Sequence, residues 1–117
     1  MTNNSQIIRF FRERIPAFGC IPGCHDCCGP VTATSEEVAR LPVKTVAEHE
    51  AALAQYNCPY LGKNGCEVYL ERPLICRLFG TTSNLPCPNG NRPIEMINPK
   101  TERKIHRFLA ETRQVLL

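Results

Sequence analysis

The chain has 117 residues with a formal net charge of +3 at pH 7, and 43% of its residues are hydrophobic. This composition excludes a disordered chain and predicts a single domain over residues 1–117. Ten prolines, seven glycines and the absence of tryptophan indicate a small core with many turns. The mild charge does not indicate nucleic-acid binding, and no apolar run reaches the roughly 20 residues that cross a bilayer. We therefore expect neither a nucleic acid nor a membrane as a partner.

The first predicted element is a short amphipathic helix. Apolar residues between Ser5 and Arg14 recur at near-helical spacing, with arginines on the other side, and Pro16 ends the segment. The arginines interrupt the apolar stretch, so it lacks the uninterrupted core of a secretory signal peptide. Together with the initiating Met1, this predicts a cytoplasmic protein whose thiols stay reduced.

Cysteines are the most informative residues of the chain. Four lie in the nine-residue stretch CIPGCHDCC and four follow it, giving Cys20, Cys24, Cys27, Cys28, Cys58, Cys66, Cys76 and Cys87. Thiols at this density are typical of a metal or iron–sulfur site in a reducing compartment, or of a disulfide framework in an oxidising one. Adjacent cysteines do not easily bridge each other, which adds to the preference for a metal site.

Two short helices are predicted after the first cysteine stretch and a brief strand at residues 31–32. They cover residues 34–41 and 45–55, and in each a threonine lies three residues before a glutamate, which is the spacing of a capping box. The apolar face predicted for the second helix is Val46, His49, Leu53 and Tyr56.

A β-hairpin and a short helix are predicted in the second cysteine-rich region. The dipeptide Asn64-Gly65 is a strong turn signal, and it places Cys58 and Cys66 on opposite arms of a hairpin. The helix covers residues 73–80, with proline at its start and glycine at its end.

The last predicted helix follows an irregular stretch at residues 81–97. Asn98 is a good N-cap, and the helix is expected to run from Pro99 towards Leu116. Its predicted buried stripe is Ile105, Phe108, Leu109, Thr112 and Leu116. The opposite, basic side is predicted to be solvated and comprises Lys100, Arg103, Lys104, Arg107 and Arg113.

The spacing of the first cysteines is typical of an iron–sulfur ligand loop. Cys20, Cys24 and Cys27 have the gaps that radical-SAM enzymes use to bind three irons of a 4Fe–4S cluster, although the chain is too short for the barrel of those enzymes. Zinc is the main alternative, because tetrahedral zinc sites use cysteines two to four residues apart. Either metal needs a further ligand, for which Cys76 is the best candidate and Cys66 the next. Such a centre would join segments about 50 residues apart.

Some of these cysteines, and the histidines, have alternative structural roles. Cys28 and Cys87 can also be buried thiols that bind nothing, because cysteine packs well in apolar surroundings. His25 lies among the first cysteines and is the histidine best placed to contact the centre as a hydrogen-bond donor. His49 is interpreted as a core or surface residue, and His106 as a solvated one.

Two arginines flank the Cys76 turn. Arg72 and Arg77 can donate hydrogen bonds to metal-bound thiolates, whose summed negative charge needs compensation. Their alternative role is surface pairing with Glu67 or Glu71, which contributes little to stability. We assign Arg77 a supporting position at the centre, as we do His25.

The motif CxxxCxxCC, followed by CPYL, CEVY and ERPLICRLFG, resembles the YkgJ-type cysteine-cluster proteins, which are described as zinc- or iron-chelating domains. The resemblance covers about Cys20 to Gly80, and it implies metal ligands at Cys24, Cys27, Cys28, Cys58, Cys66 and Cys76. It also marks Tyr69, Arg72, Pro73 and Arg77 as motif positions. The first gap is three residues where many members have two, so the role of Cys20 is not implied. Flagellin lysine-N-methylases belong to the same family, but this chain has no room for their methyl-donor domain.

These observations predict a mostly α, small and irregular metal-stapled domain with one short β-hairpin. The expected function is a cytoplasmic metal-binding protein whose cysteines hold an iron–sulfur cluster of the 4Fe–4S type, or zinc. Its role would be redox chemistry, electron transfer or metal handling with a protein partner. The alternative is a zinc-stabilised protein-interaction module. No catalytic residue is predicted, because the sequence has no recognisable catalytic triad, phosphate loop or carboxylate pair.

Overall fold

The computed structural model of the chain describes residues 3–17, 29–63, 65–87 and 89–117. Within them, about 42% of the residues are helical, and four short strands form two separate two-stranded ribbons. The helices are α1 (Asn4–Arg12), α2 (Ser35–Val38), α3 (Val46–Ala54), α4 (Leu74–Leu78) and α5 (Pro99–Glu111). The strands are β1 (Thr32–Thr34), β2 (Leu61–Gly62), β3 (Gly65–Cys66) and β4 (Gln114–Leu116), and a 3₁₀ turn covers Tyr69–Glu71. None of the helices in this part of the chain has the length and apolar character needed to cross a membrane.

Side-chain caps determine where four of the helices begin. Asn3, Thr34, Thr45 and Asn98 each accept hydrogen bonds from backbone N–H groups of the first turn, at the starts of α1, α2, α3 and α5. Both predicted threonine capping boxes are confirmed, with the glutamate side chain returning to the N-cap backbone in each. The predicted cap of α5 is confirmed as well.

The larger hydrophobic cluster joins α1, α4 and α5. The apolar side of α1 is buried as predicted, and Leu74 and Leu78 face it from successive turns of α4. The buried residues of this cluster are Ile8, Phe11, Ile15, Leu74, Leu78, Ile97 and Ile105. Because Leu74, Leu78 and Ile105 are fully shielded from solvent, α4 is fixed against the other two helices.

A second cluster forms around a ribbon that the sequence did not predict. β1 and β4 pair antiparallel, and beyond the strand the N–H of Leu117 donates to the carbonyl of Val31 at 3.0 Å. The ribbon buries Leu117 beside Ala33, Leu41 and Tyr60. The predicted hairpin is confirmed as β2 and β3, so the described residues contain two ribbons instead of one.

The prediction that the last helix reaches Leu116 is wrong, because α5 ends at Glu111. Thr112 is extended, and its hydroxyl donates to the carbonyl of Phe108 at 3.0 Å. The Gln114 side chain donates to the carbonyl of Leu109 at 3.0 Å. These side chains satisfy carbonyls that the helix end leaves open, and the residues that follow gain ladder hydrogen bonds with β1. Leu116 is consequently half exposed instead of buried.

The predicted apolar face of α3 is also wrong. None of its residues is buried, and Val46 and Tyr56 are 73% and 80% exposed. Apolar residues are distributed around this helix, so no single side is suited to packing. The contacts of this helix with the hairpin are polar instead. Lys44 Nζ, just before the helix, lies 3.6 Å from Glu48 Oε2 in its first turn and 3.8 Å from Glu67 Oε2 beside the hairpin.

A buried carboxylate fixes the irregular segment before α5 to that helix. Glu102 is 8% exposed and accepts hydrogen bonds from Thr82 Oγ1 at 2.8 Å, Asn84 Nδ2 at 3.0 Å and His106 Nε2 at 3.1 Å. Burial alone would raise the pKa of Glu102, but the hydrogen bonds from Asn84, Thr82 and His106 bring it below its ordinary value. His106, predicted to be solvated, is 45% exposed on its side chain and pairs with this carboxylate.

Removing the Glu102 charge should destabilise the fold in a pH-dependent way. Since the folded pKa is lowered, the contribution of the carboxylate is complete above its ordinary pKa and is lost as the pH falls through the folded value. Glu102→Gln should therefore lower the free energy of unfolding by about 1–3 kcal/mol near pH 7, and by less near pH 3. Denaturant titration at both pH values measures this, with exposed Glu111→Gln as the control. An equal loss at both values would contradict the network.

Candidate metal centre

Three cysteines line one small cavity between the two ribbons and α4. The thiols belong to Cys58, Cys66 and Cys76, and the cavity has a volume of about 40 Å³. Its other walls are mostly apolar and include Val31, Tyr60, Val68, Pro73 and Leu117. Among the described residues that line the cavity, sulfur is the donor brought together, because none of them carries a carboxylate or an imidazole. A donor set of thiols fits a thiophilic metal such as zinc or iron.

The hairpin brings Cys58 and Cys66 to the same cavity. The N–H of Leu61 donates to the carbonyl of Cys58 at 3.0 Å, which folds the chain into β2, and Leu61 is paired with Cys66 across the ribbon. Gly65 has a φ of 100°, a left-handed conformation that glycine adopts without strain. Buried Tyr60 anchors the hairpin, because its hydroxyl donates to the carbonyl of Pro42 at 2.8 Å. The turn chemistry thus determines where the two thiols lie.

Burial raises the pKa of the Cys58 thiol. Loss of solvent is the largest cause of the raised pKa. The backbone N–H of Tyr60 lowers the pKa, the neighbouring Cys66 raises it and the Lys44 ammonium lowers it, and the net pKa stays above the ordinary value. Cys58, Cys66 and Cys87 carry free thiols. A thiolate in this cavity therefore needs a compensating cation, and a metal that binds there must displace the proton.

Two arginines, Arg72 and Arg77, flank Cys76 in the sequence and contact the backbone around the start of α4. Arg72 lines the thiol cavity, stacks its guanidinium 3.9 Å from the Tyr69 ring centre, and donates from Nε to the carbonyl of Tyr69 at 3.0 Å. Arg77 donates to the carbonyls of Arg72 at 2.8 Å and Leu70 at 2.6 Å. Burial, followed by the charges of Arg12 and Arg72, lowers the pKa of Arg77. Of these two cations, Arg72 lies at the thiol cavity, whereas Arg77 is not among the residues that line it.

The glutamates considered as alternative partners of these arginines pair elsewhere in the described residues. Glu71 lies 3.5 Å from Arg12, and Glu67 lies 3.8 Å from Lys44. The hydrogen bonds of Arg77 instead hold the 3₁₀ turn that precedes α4. Its contacts are therefore those of a residue that shapes the loop beside Cys76, and its role at a centre stays a prediction.

The described residues on either side of the first cysteine stretch line the thiol cavity or a depression that shares Arg72 with it. Ala17 lines a neighbouring depression together with Arg72 and Arg77, and Gly29 lines the thiol cavity itself. The predicted site residues between them lie outside the described residues: Cys20, Cys24, His25, Cys27 and Cys28. Gly29 thus lies at the thiol cavity, and Ala17 lies at a depression that shares Arg72 with it.

The remaining predicted residues lie away from the cavity. Cys87 is half-buried in the irregular segment, where its carbonyl accepts from Gly90 at 2.9 Å, and it does not line the cavity. His49 lies on α3, and His106 pairs with Glu102. Among residues 3–17, 29–63, 65–87 and 89–117, no three His, Cys, Asp or Glu side chains form a group that could hold a metal ion. Cys58, Cys66 and Cys76 line one cavity, but they do not form such a group in the described structure.

Sequence reasoning missed the apolar walls of the cavity. Val31 and Leu117 lie side by side at one end of the β1–β4 ribbon, whose pairing was not predicted. The available signal was the run Val115-Leu116-Leu117, which suits a strand as well as a helix end. A run this short does not distinguish the two by itself.

The fold and the cavity define a small, thiol-rich domain, and a comparison of sequences identifies its family. The family model CxxCxxCC, described as a putative zinc- or iron-chelating domain, matches residues 19–107. The chain belongs to this family, which confirms the resemblance drawn from the cysteine motifs. The match includes all eight cysteines. No curated protein and no solved structure matches the chain.

Proposed function

We propose that this chain holds a thiolate-ligated metal centre at the cavity between the hairpin, the β1–β4 ribbon and α4. The observation that carries the proposal is the convergence of Cys58, Cys66 and Cys76 on one apolar cavity beside Gly29. These thiols come from two separate elements, and Gly29, which directly follows the first cysteine stretch, lines the same cavity. Ligands from that stretch would complete the coordination shell.

The residues around the cavity have distinct roles in this proposal. Cys76 is the first candidate among the sulfur donors and Cys66 the next, and the apolar walls exclude the water that would compete with them. Arg72 and Arg77 place positive charge near the thiolates, which lowers the cost of gathering several anions in one cavity. A centre of this kind would also crosslink the hairpin to α4 and stabilise a chain with small hydrophobic clusters.

We infer that the centre is an iron–sulfur cluster of the 4Fe–4S type. The gaps between Cys20, Cys24 and Cys27 suit three corners of a cluster, and Cys76 would supply the fourth ligand. Such a centre would supply one-electron redox chemistry. The protein would then act in electron transfer or metal handling with a protein partner, in the reducing environment of the cytoplasm.

A zinc-stabilised interaction module is the second candidate. The observation that favours it is the pair Cys24 and Cys27, whose two-residue gap is the spacing that tetrahedral zinc sites use. A zinc ion would supply a structural crosslink and no redox chemistry. The exposed helix α3 would then be available for contact with another protein.

The absorption spectrum of anaerobically purified protein distinguishes the two metals. An iron–sulfur cluster gives a brown protein with a broad band at about 400 nm and acid-labile sulfide, whereas zinc gives a colourless one. We expect the band, with iron and sulfide in stoichiometric amounts by elemental and chemical analysis. A colourless protein with one zinc per chain would support the interaction module. A chain that contains neither metal, and cannot be loaded with either, would contradict both candidates.

Single cysteine variants test whether the cavity holds the centre. Cys76→Ser should reduce the metal content to less than a tenth of that of the parent, because a hydroxyl is a poor ligand for a thiophilic metal. Cys87→Ser is the matched control, since Cys87 is also half-buried but lies outside the cavity. Metal analysis and thermal melting of both variants provide the comparison. Parent-like metal content in Cys76→Ser, or equal losses in the two variants, would contradict a centre at this cavity.

A further inference from the structure

Glu37 is a buried carboxylate that connects two walls of the thiol cavity. It lies on α2 and is 5% exposed. Its Oε1 accepts from Thr34 Oγ1 at 2.9 Å, and its Oε2 accepts from the backbone N–H of Leu74 at 2.6 Å. Thr34 belongs to β1, whereas Leu74 is the first residue of α4. This side chain thus joins two elements, and it is itself 37 residues away in sequence from Leu74.

The contact with α4 is made where that helix has no acceptor of its own. The first N–H groups of a helix have no intrahelical partner, and Pro73 before Leu74 has no N–H at all. Leu74 is fully buried, so its N–H has no access to water either. Glu37 provides the acceptor, and the contact fixes the start of the helix that carries Cys76 two residues later.

The contact with β1 fixes the opposite wall. Thr34 is fully buried, and its hydroxyl both donates to the Glu37 carboxylate and accepts from the Glu37 N–H at 3.2 Å. The same ribbon carries Val31 and Leu117 into the cavity. The two oxygens of Glu37 therefore determine the separation between the ribbon wall and the helix that bears Cys76.

From this geometry we infer that Glu37 is the positioning residue for Cys76 in the metal centre. A capping glutamate alone needs no contact beyond its own helix, and an exposed one would serve a cap equally well. A buried carboxylate is retained at a cost in desolvation, which is offset here by hydrogen bonds to both walls of the cavity. The inference rests on the proposed function, since it assigns the residue that holds one ligand of that centre in place.

The test counts the thiolates that bind a metal in variants of Glu37. Metal-free, reduced chain is titrated with Co²⁺ alone, whose near-ultraviolet charge-transfer intensity reports the number of bound thiolates. Glu37→Ala removes both hydrogen bonds to the cavity walls and should lower the Co²⁺ affinity tenfold or more, the usual effect of losing a residue that orients a ligand. The intensity per bound ion should fall by roughly a quarter, for one thiolate of four.

Two further variants separate positioning from general stability. Glu102→Ala is the matched control, because Glu102 is equally buried and accepts three side-chain hydrogen bonds away from the cavity. It should lower the melting temperature and leave the Co²⁺ spectrum unchanged. Glu37→Gln should restore most of the affinity, because an amide oxygen can still accept from Leu74. If Glu37→Ala does not fold, Glu37→Leu replaces it with an apolar side chain of similar size.

The outcomes distinguish this inference from the proposed function. A parent chain without any thiolate-to-Co²⁺ band would overturn the inference, and one that also contains neither an iron–sulfur cluster nor zinc as purified would overturn the proposed centre with it. A normal parent band that Glu37→Ala leaves unchanged, or that Glu102→Ala reduces equally, would overturn the inference alone. So would failure of both Glu37→Ala and Glu37→Leu to fold in the presence of Co²⁺, since Glu37 would then serve the whole fold.

Discussion

The burial of thiols among apolar side chains is the constraint on which the account of this protein depends. Such a thiol stays protonated unless a cation compensates its charge, and burial does raise the pKa of Cys58. The cavity is formed by a hairpin, a ribbon and a helix that belong to distant parts of the sequence. A metal would supply the missing cation and would hold these three elements together at the same time.

Two buried glutamates also join separate elements of the fold through hydrogen bonds. Glu37 connects β1 to α4, and Glu102 connects the irregular segment to α5. Each satisfies its carboxylate with several hydrogen bonds, and the described residues contain no buried side-chain nitrogen or oxygen without a partner. A chain with two small hydrophobic clusters thus joins its segments through polar contacts and, we propose, through a metal.

Local signals in the sequence predicted the starts of helices and the hairpin turn, because capping and turn chemistry depend on neighbouring residues. Thr34, Thr45 and Asn98 cap the helices that they were expected to cap. The β1–β4 ribbon was not predicted, since it pairs Thr32 with Leu116 and Thr34 with Gln114, far beyond the range of any local pattern. The exposed α3 shows the converse, because an apolar spacing does not determine whether another element packs on it. The cysteine motif predicted the family, whereas the convergence of three thiols on one cavity required the fold.

The most direct test of the central claim is to remove the metal and measure folding. Protein purified under reducing, anaerobic conditions is treated with a chelator, shown by elemental analysis to be metal-free, and followed by far-ultraviolet circular dichroism during heating. We expect the metal-free protein to lose helicity or its cooperative transition, because metal binding supplies much of the folding free energy of a small domain. The same chain with its metal restored should melt cooperatively again. An unchanged spectrum and melting temperature in demonstrably metal-free protein would contradict the claim.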